Sequence, residues 1–322
     1  MDGAKFGIVG LGRIGGGLGL QALAKGYRVA GYDLSGPTEE LTRAGLIAAH
    51  SLPDLVSKLD TPRIVFLYVH AGPTVDEVAD QIAPLLDPGD IVVDGGNSYW
   101  GDSKRRAARF GPAGIRWVDL GTSGGLSGAR NGACFMPGGD PDAAKLLEPI
   151  LTSLAVPGGY VYAGPSGAGH FVKLVHNGIE FGMLQAIGEG VDLLERFDDP
   201  LPVADVLACW RNGSVIRSWL VDLMHEAYAE HEGIADIPGY IEDTGEVSWL
   251  LADALRMEVP VPVIAQSVMQ LFASRDDDRN WARAIALMRR GFGGHPIGPD
   301  PALQRERQVS RVADIWRPEV NP

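Results

Sequence analysis

The stretch that most constrains this chain is Gly10-Leu11-Gly12-Arg13-Ile14-Gly15, which follows the apolar run Lys5–Gly10 and opens a helix-like stretch from Ile14 to Lys25. Glycines in G-x-G-x-x-G spacing between a strand and a helix have a specific use. The first permits a tight turn, the second lets the backbone approach a pyrophosphate, and the helix N-terminus supplies amide donors and partial positive charge. In a chain with 43 glycines the same spacing could be an innocent turn. Its place directly after a strand, within ten residues of the start, predicts that Gly10, Leu11, Gly12, Arg13, Ile14 and Gly15 cradle a dinucleotide.

Short apolar runs bounded by turn residues recur at Arg28–Tyr32, Arg63–Val69, Asp90–Asp94 and Arg116–Leu120, with helix-like stretches such as Val75–Leu86 between them. They read as buried strands of a doubly wound parallel sheet, with Gly132–Met136 and Tyr160–Ala163 as further extended pieces. From about Ser166 the pattern turns helical, at Phe171–Phe197, Val215–Glu230, Val247–Met257, Pro262–Ser274 and Trp281–Arg290. The expected fold is an α/β Rossmann-type domain over residues 1–165 followed by an all-α domain over 166–322. A length of 322 residues with 45% hydrophobic content can build both cores. The tail from Pro296 is rich in proline and charge, either loose or laid on a partner.

A net charge of −13 argues against nucleic acid and anionic membranes as partners, so an anionic substrate would need a local basic pocket. Cys134 and Cys209 are the only cysteines and lack metal-ligand spacing, which predicts no metal site, no disulfide framework and a reducing, cytoplasmic setting. Neither an export signal nor a membrane span is read; the apolar stretch Val259–Ala273 is broken by Pro260, Pro262, Gln266 and Ser267.

Asp33 closes the second strand, where its carboxylate can accept from an adenosine ribose and would repel an added 2′-phosphate. No arginine or lysine stands in Leu34–Glu40 to offset that charge. NAD is therefore the expected cofactor, with NADP disfavoured. The plainer role for Asp33 is a turn cap.

Three segments carry polar groups where strand ends would meet a ligand: Asp94-Gly95-Gly96-Asn97-Ser98, Gly121-Thr122-Ser123-Gly124-Gly125, and the stretch from His170. On a helix, Lys173, His176, Asn177 and Glu180 share one stripe. The apolar flanks Phe171, Leu174, Val175, Ile179, Phe181 and Leu184 predict that this helix is buried, which makes a lysine and a glutamate on it candidates for chemistry.

With these motifs, with Ile216-Arg217-Ser218 and with Phe292-Gly293-Gly294-His295, nearly the whole chain resembles the 6-phosphogluconate dehydrogenase family within the β-hydroxyacid dehydrogenases. Its length and Asp33 resemble the short, NAD-preferring branch. The resemblance implies that Lys173 takes the 3-hydroxyl proton of 6-phosphogluconate as the cofactor is reduced, and that Glu180 protonates C1 of the enediol left after decarboxylation. It implies that Ser123, Gly124, Gly125 and His176 hold the carboxylate, that Asn97 and Asn177 position the reacting carbons, with Asn97 also at the cofactor, and that Arg217 binds phosphate. Arg289 and His295 match phosphate residues given by a neighbouring subunit, so a homo-oligomer, dimer or tetramer, is implied. Two departures stand out. Phe181 replaces a tyrosine, and no lysine or arginine appears around Thr244–Trp249, where Ser248 stands instead. The nearest rival reading is a dehydrogenase for a small unphosphorylated acid such as 3-hydroxyisobutyrate; a second is a catalytically silent NAD sensor.

Overall fold

A computed structural model describes residues 6–309, and the side chains of residues 6–305. Lys5, at the head of the first expected strand, and the tail beyond residue 309 lie outside the described residues. The eight strands are β1 (Phe6–Val9), β2 (Val29–Tyr32), β3 (Ile47–Ala48), β4 (Ile64–Leu67), β5 (Ile91–Asp94), β6 (Arg116–Ser123), β7 (Ala133–Gly139) and β8 (Ala155–Tyr160). They form one sheet in the order β3-β2-β1-β4-β5-β6-β7-β8, parallel throughout except where β7 runs against β6. The order reverses at β1, between β2 and β4, which opens a crevice at the carboxyl ends of those strands.

The helices of this part are α1 (Arg13–Ala24), α2 (Glu39–Arg43), α3 (Leu52–Ser57), α4 (Pro73–Ile82), α5 (Trp100–Phe110), α6 (Gly125–Asn131) and α7 (Pro141–Leu154). Two apolar clusters pack the sheet. One is built around Phe6, Ile8, Phe66, Phe135 and Leu147, the other around Val9, Leu55, Leu67, Ile82 and Trp117. Neighbouring residues of one strand fall in different clusters, Ile8 in one and Val9 in the other, as expected of strands covered on both faces.

After the sheet come α8 (Ala168–Glu195), α9 (Val203–Gly213), α10 (Trp219–Glu230), α11 (Glu246–Met257), α12 (Pro262–Arg275), α13 (Asn280–Gly293) and α14 (Pro301–Val309). By its contacts the chain forms two compact units. One runs to Ile237 and includes Glu242–Met269, so that α8 to α11 belong with the sheet; the other comprises Pro238–Ile241 and the chain from Gln270. Part of the tail from Pro296 is the helix α14.

Three expectations need correction. The last extended piece is displaced: β8 is Ala155–Tyr160 and shares only Tyr160 with the expected Tyr160–Ala163. Pro157-Gly158-Gly159 reads as a turn, yet an edge strand pairs on one side only and tolerates a residue without an N–H. The helix expected from Val215 begins at Trp219, because Ser218 is extended and its hydroxyl accepts from the Val221 amide. Finally, α8 is not buried all round. Ile179 is 53% exposed and Leu193 74%, whereas Leu174, Asn177 and Gly178 are buried.

Candidate active site

A cleft of about 1810 Å³ opens at the carboxyl ends of the strands, within the first compact unit. Its cofactor end is shaped by glycine. Gly10 has φ +91°, and a Cβ there would lie 2.3 Å from the Tyr68 carbonyl oxygen. A Cβ on Gly15 would lie 2.0 Å from the Gly10 carbonyl, so only hydrogen fits, whereas at Gly12 the space is open towards the cleft. Gly10, Gly12, Arg13, Ile14 and Gly15 all line the cleft at the start of α1. Leu11 turns its side chain into the core, and its amide donates to Asp33 Oδ2 at 2.8 Å. The other carboxylate oxygen, Oδ1, accepts from the Ser35 amide at 2.8 Å. Asp33 thus caps a turn, and its remaining lone pairs are available to a ribose hydroxyl. The cradle fits a dinucleotide: donors at a helix start, no side chains in the way, and a carboxylate at the next strand end.

The neighbouring strand end is held by buried charge. Asp94 and Arg106 are both fully buried and paired at 3.3 Å, and the Arg106 Nε also donates to Asp76 Oδ1 at 3.0 Å. Burial pushes the Asp76 carboxyl up, but its bonds to Arg106 and Arg105 outweigh that and hold it at about 2. The Gly96 amide donates to Asp94 Oδ1 at 3.2 Å, and the exposed Asn97 follows into the cleft.

At the substrate end, the first turn of α8 lies directly on β6 and β7. A Cβ on Gly169 would lie 2.3 Å from the Asp119 carbonyl oxygen and 2.4 Å from that of Met136. The buried Asp119 carboxylate accepts from the amides of Gly167 (2.7 Å) and His170 (3.0 Å), which pins the start of the helix. Lys173, His176, Asn177 and Glu180 then face the cleft with Ser123, Gly124 and Gly125. The Lys173 Nζ donates to Asn177 Oδ1 at 2.5 Å and lies 3.4 Å from His176 Nδ1. The Ser123 hydroxyl and His176 Nε2 are 3.0 Å apart, and Glu180 Oε2 is 3.7 Å from His176 Nδ1. Lys173 and Glu180 are half-buried. Burial pushes the Lys173 ammonium below lysine's usual range, against the opposing pull of Glu180, Glu246 and Cys134. A lysine poised in this way can accept a proton, and a carboxylate two turns further along the helix can serve a second transfer.

Within the first unit, not every expected residue lines the cleft. Arg217 is exposed and does not line it, although Ser218 and Trp219 do. Arg289 and His295 belong to the second compact unit. The structure also adds cleft residues that pattern reading did not single out. Tyr68 forms part of the wall, packed so close to Gly95 that a Cβ there would lie 2.6 Å from its ring, and burial pushes its phenol well up. Glu246 enters from the N-terminus of α11, a helix tied to α5 where the Trp100 Nε1 donates to Asp253 Oδ2 at 2.6 Å. The only sequence signal for Glu246 was its place after Thr244-Gly245. Among the described residues no cluster of three or more His, Cys, Asp or Glu side chains is arranged to hold a metal ion, and no helix is long and apolar enough to cross a membrane.

A family model described as the NAD binding domain of 6-phosphogluconate dehydrogenase matches residues 5–164, and one described as the 6-phosphogluconate dehydrogenase C-terminal domain matches residues 169–294. A Bacillus subtilis protein provisionally named a 6-phosphogluconate dehydrogenase is 41% identical over 90% of this chain and 98% of its own. The NAD(+)-dependent, decarboxylating 6-phosphogluconate dehydrogenase of Haloferax volcanii is 40% identical over 91% of this chain and 98% of its own. A Plasmodium falciparum 6-phosphogluconate dehydrogenase, solved apo, with NADP+ and with 6-phosphogluconate, superposes with a TM-score of 0.76 at 28% identity, covering 92% of this chain and 67% of that one. The fold, the matched domains and these relatives place the chain in the 6-phosphogluconate dehydrogenase family, as an oxidoreductase that uses a nicotinamide cofactor.

Proposed function

We propose that this enzyme oxidises 6-phosphogluconate at its 3-hydroxyl with NAD and releases carbon dioxide, leaving ribulose 5-phosphate. The observation that carries this reading is the half-buried Lys173, its ammonium pushed down by burial, joined to Asn177 and His176 in one cleft with the glycine cradle. The Gly10–Gly15 backbone would hold NAD, with Asp33 at its ribose, and the bound cofactor would accept the two electrons. Neutral Lys173 takes the 3-hydroxyl proton as C3 becomes a ketone. The 3-keto acid then loses its carboxylate as carbon dioxide, and the protonated Lys173 holds the developing enediolate oxygen. Glu180 delivers the proton to C1 of the enediol. Ser123, Gly124, Gly125 and His176 hold the carboxylate before it leaves, and Asn97 and Asn177 align the carbons.

On this reading residues 1–165 hold the cofactor, while 166–322 supply the substrate groups and the subunit contact. Arg217 binds the phosphate, with Arg289 and His295 donated by a second subunit of a homo-oligomer. Asp33 favours NAD over NADP by at least about tenfold, which corresponds to ~1.4 kcal/mol.

One observation favours the rival substrate class. Arg13 and Lys173 are the only arginine and lysine lining the described cleft, and Ser248 stands where the family often has a cation. Steady-state assays with 6-phosphogluconate, with NAD and NADP in parallel and ribulose 5-phosphate identified by mass spectrometry, decide the matter. Turnover of 3-hydroxyisobutyrate with none of 6-phosphogluconate would replace the reading.

A further inference from the structure

His170 lies one turn before Lys173 on α8, is 2% exposed and does not line the cleft. Its ring nonetheless joins three elements. Nδ1 is 2.7 Å from the Ser103 hydroxyl on α5, and Nε2 is 3.1 Å from the Asp94 main-chain carbonyl at the end of β5. A carbonyl can only accept, so Nε2 carries the hydrogen; in the neutral ring Nδ1 then accepts from the Ser103 hydroxyl. The His170 amide is itself held by Asp119. From the other side, Asp94 is held by Arg106 at 3.3 Å and by its Asx bond from the Gly96 amide. Asn97 is three residues beyond one end of this strut, and Lys173 is three residues beyond the other.

We propose that His170 is a positioning residue: its ring, clamped between Ser103 and the Asp94 carbonyl, sets the register of the Lys173 face of α8 against the loop that carries Asn97. The inference rests on Lys173 acting as the base. A base must reach its proton at hydrogen-bond distance, and an error near 1 Å can cost on the order of a hundredfold in rate. Packing alone would require only a ring of this volume. Here both nitrogens are placed, and each ties the helix to a different element of the cofactor domain.

The test separates the two nitrogens. Glutamine can place an amide donor near the Nε2 position, whereas asparagine can reach only the Nδ1 position. His170→Asn should lower kcat by about 30-fold, leave the NADH dissociation constant within about twofold of wild type, and raise the primary isotope effect on 6-phosphogluconate deuterated at C3. His170→Gln should keep kcat within about fivefold of wild type. If both variants lose thermal stability alike while kcat per folded enzyme and the isotope effect stay at wild-type values, His170 is core filling and the inference is overturned. Should His170→Asn fail to fold, Ser103→Ala carries the test, with an expected fall in kcat of about fivefold and a raised isotope effect. No change in either would overturn the proposal. Wild-type enzyme inert towards 6-phosphogluconate overturns the substrate reading alone, and the same variants are then measured with the C3-deuterated 3-hydroxy acid that the wild type does oxidise. An enzyme that oxidises neither removes Lys173 as base, and this inference falls with it.

Discussion

At the glycine-turn end of the cleft the lining is main chain bared by Gly10, Gly12 and Gly15, whereas at the α8 end it is side chains held by one another. A main-chain cradle depends on the absence of Cβ atoms at two or three positions. A side-chain constellation depends on the placement of a whole helix, which here needs Gly169 against β6 and β7 and the Asp119 carboxylate under the first turn. The first kind of site should fail when atoms are added, the second when atoms are removed.

Lys173→Ala breaks the comparison most sharply. It should lower kcat by about a thousandfold, within the span of general acid–base effects, while NADH binding followed by fluorescence titration stays near wild type. Turnover within tenfold of wild type would remove Lys173 from its role. The converse is Gly15→Ala, whose Cβ meets the Gly10 carbonyl. Overpacking of this kind costs ~1–3 kcal/mol, so NADH should bind about 5- to 150-fold more weakly, with less loss in kcat at saturating cofactor.

Asp33 tests whether a side chain decides the outcome at the glycine-turn end. The combination Asp33→Ser with Leu34→Arg, the latter at a position 93% exposed, should move the NAD-to-NADP ratio of kcat/KM by about tenfold or more towards NADP. An unmoved ratio would mean that Asp33 only caps its turn.

The smallest effect tests electrostatics at the substrate end. If Lys173 is the base it must be neutral, so kcat/KM should rise with pH through its pKa, and burial should move that rise below lysine's usual range. The charge of Glu246 raises the Lys173 pKa, so Glu246→Gln should shift the rise to lower pH. A shift to higher pH would show that another group governs the limb.

Local patterns were enough for much of the architecture. Strands β1, β2, β4 and β5 are apolar runs between turn residues, and the 28-residue α8 carries a helical stripe longer than any strand. β8 was misplaced because Pro157-Gly158-Gly159 has a turn's composition on a sheet edge. The full burial expected for α8 failed because periodicity counts apolar residues without saying what covers them; Ile179 and Leu193 remain exposed.

By itself the sequence determined the glycine spacing at the start of α1, the succession of sheet and helices, and the stripe of Lys173, His176, Asn177 and Glu180, because each is read from patterns among residues near one another in the chain. Tertiary structure alone decided what surrounds that stripe. Asp119, Ser103 and Asp94 lie 48 to 76 residues from their partners at the head of α8, and Glu246 arrives from a separate helix. Such contacts have no local period or spacing to betray them, since closing the intervening chain is the work of the packed sheet.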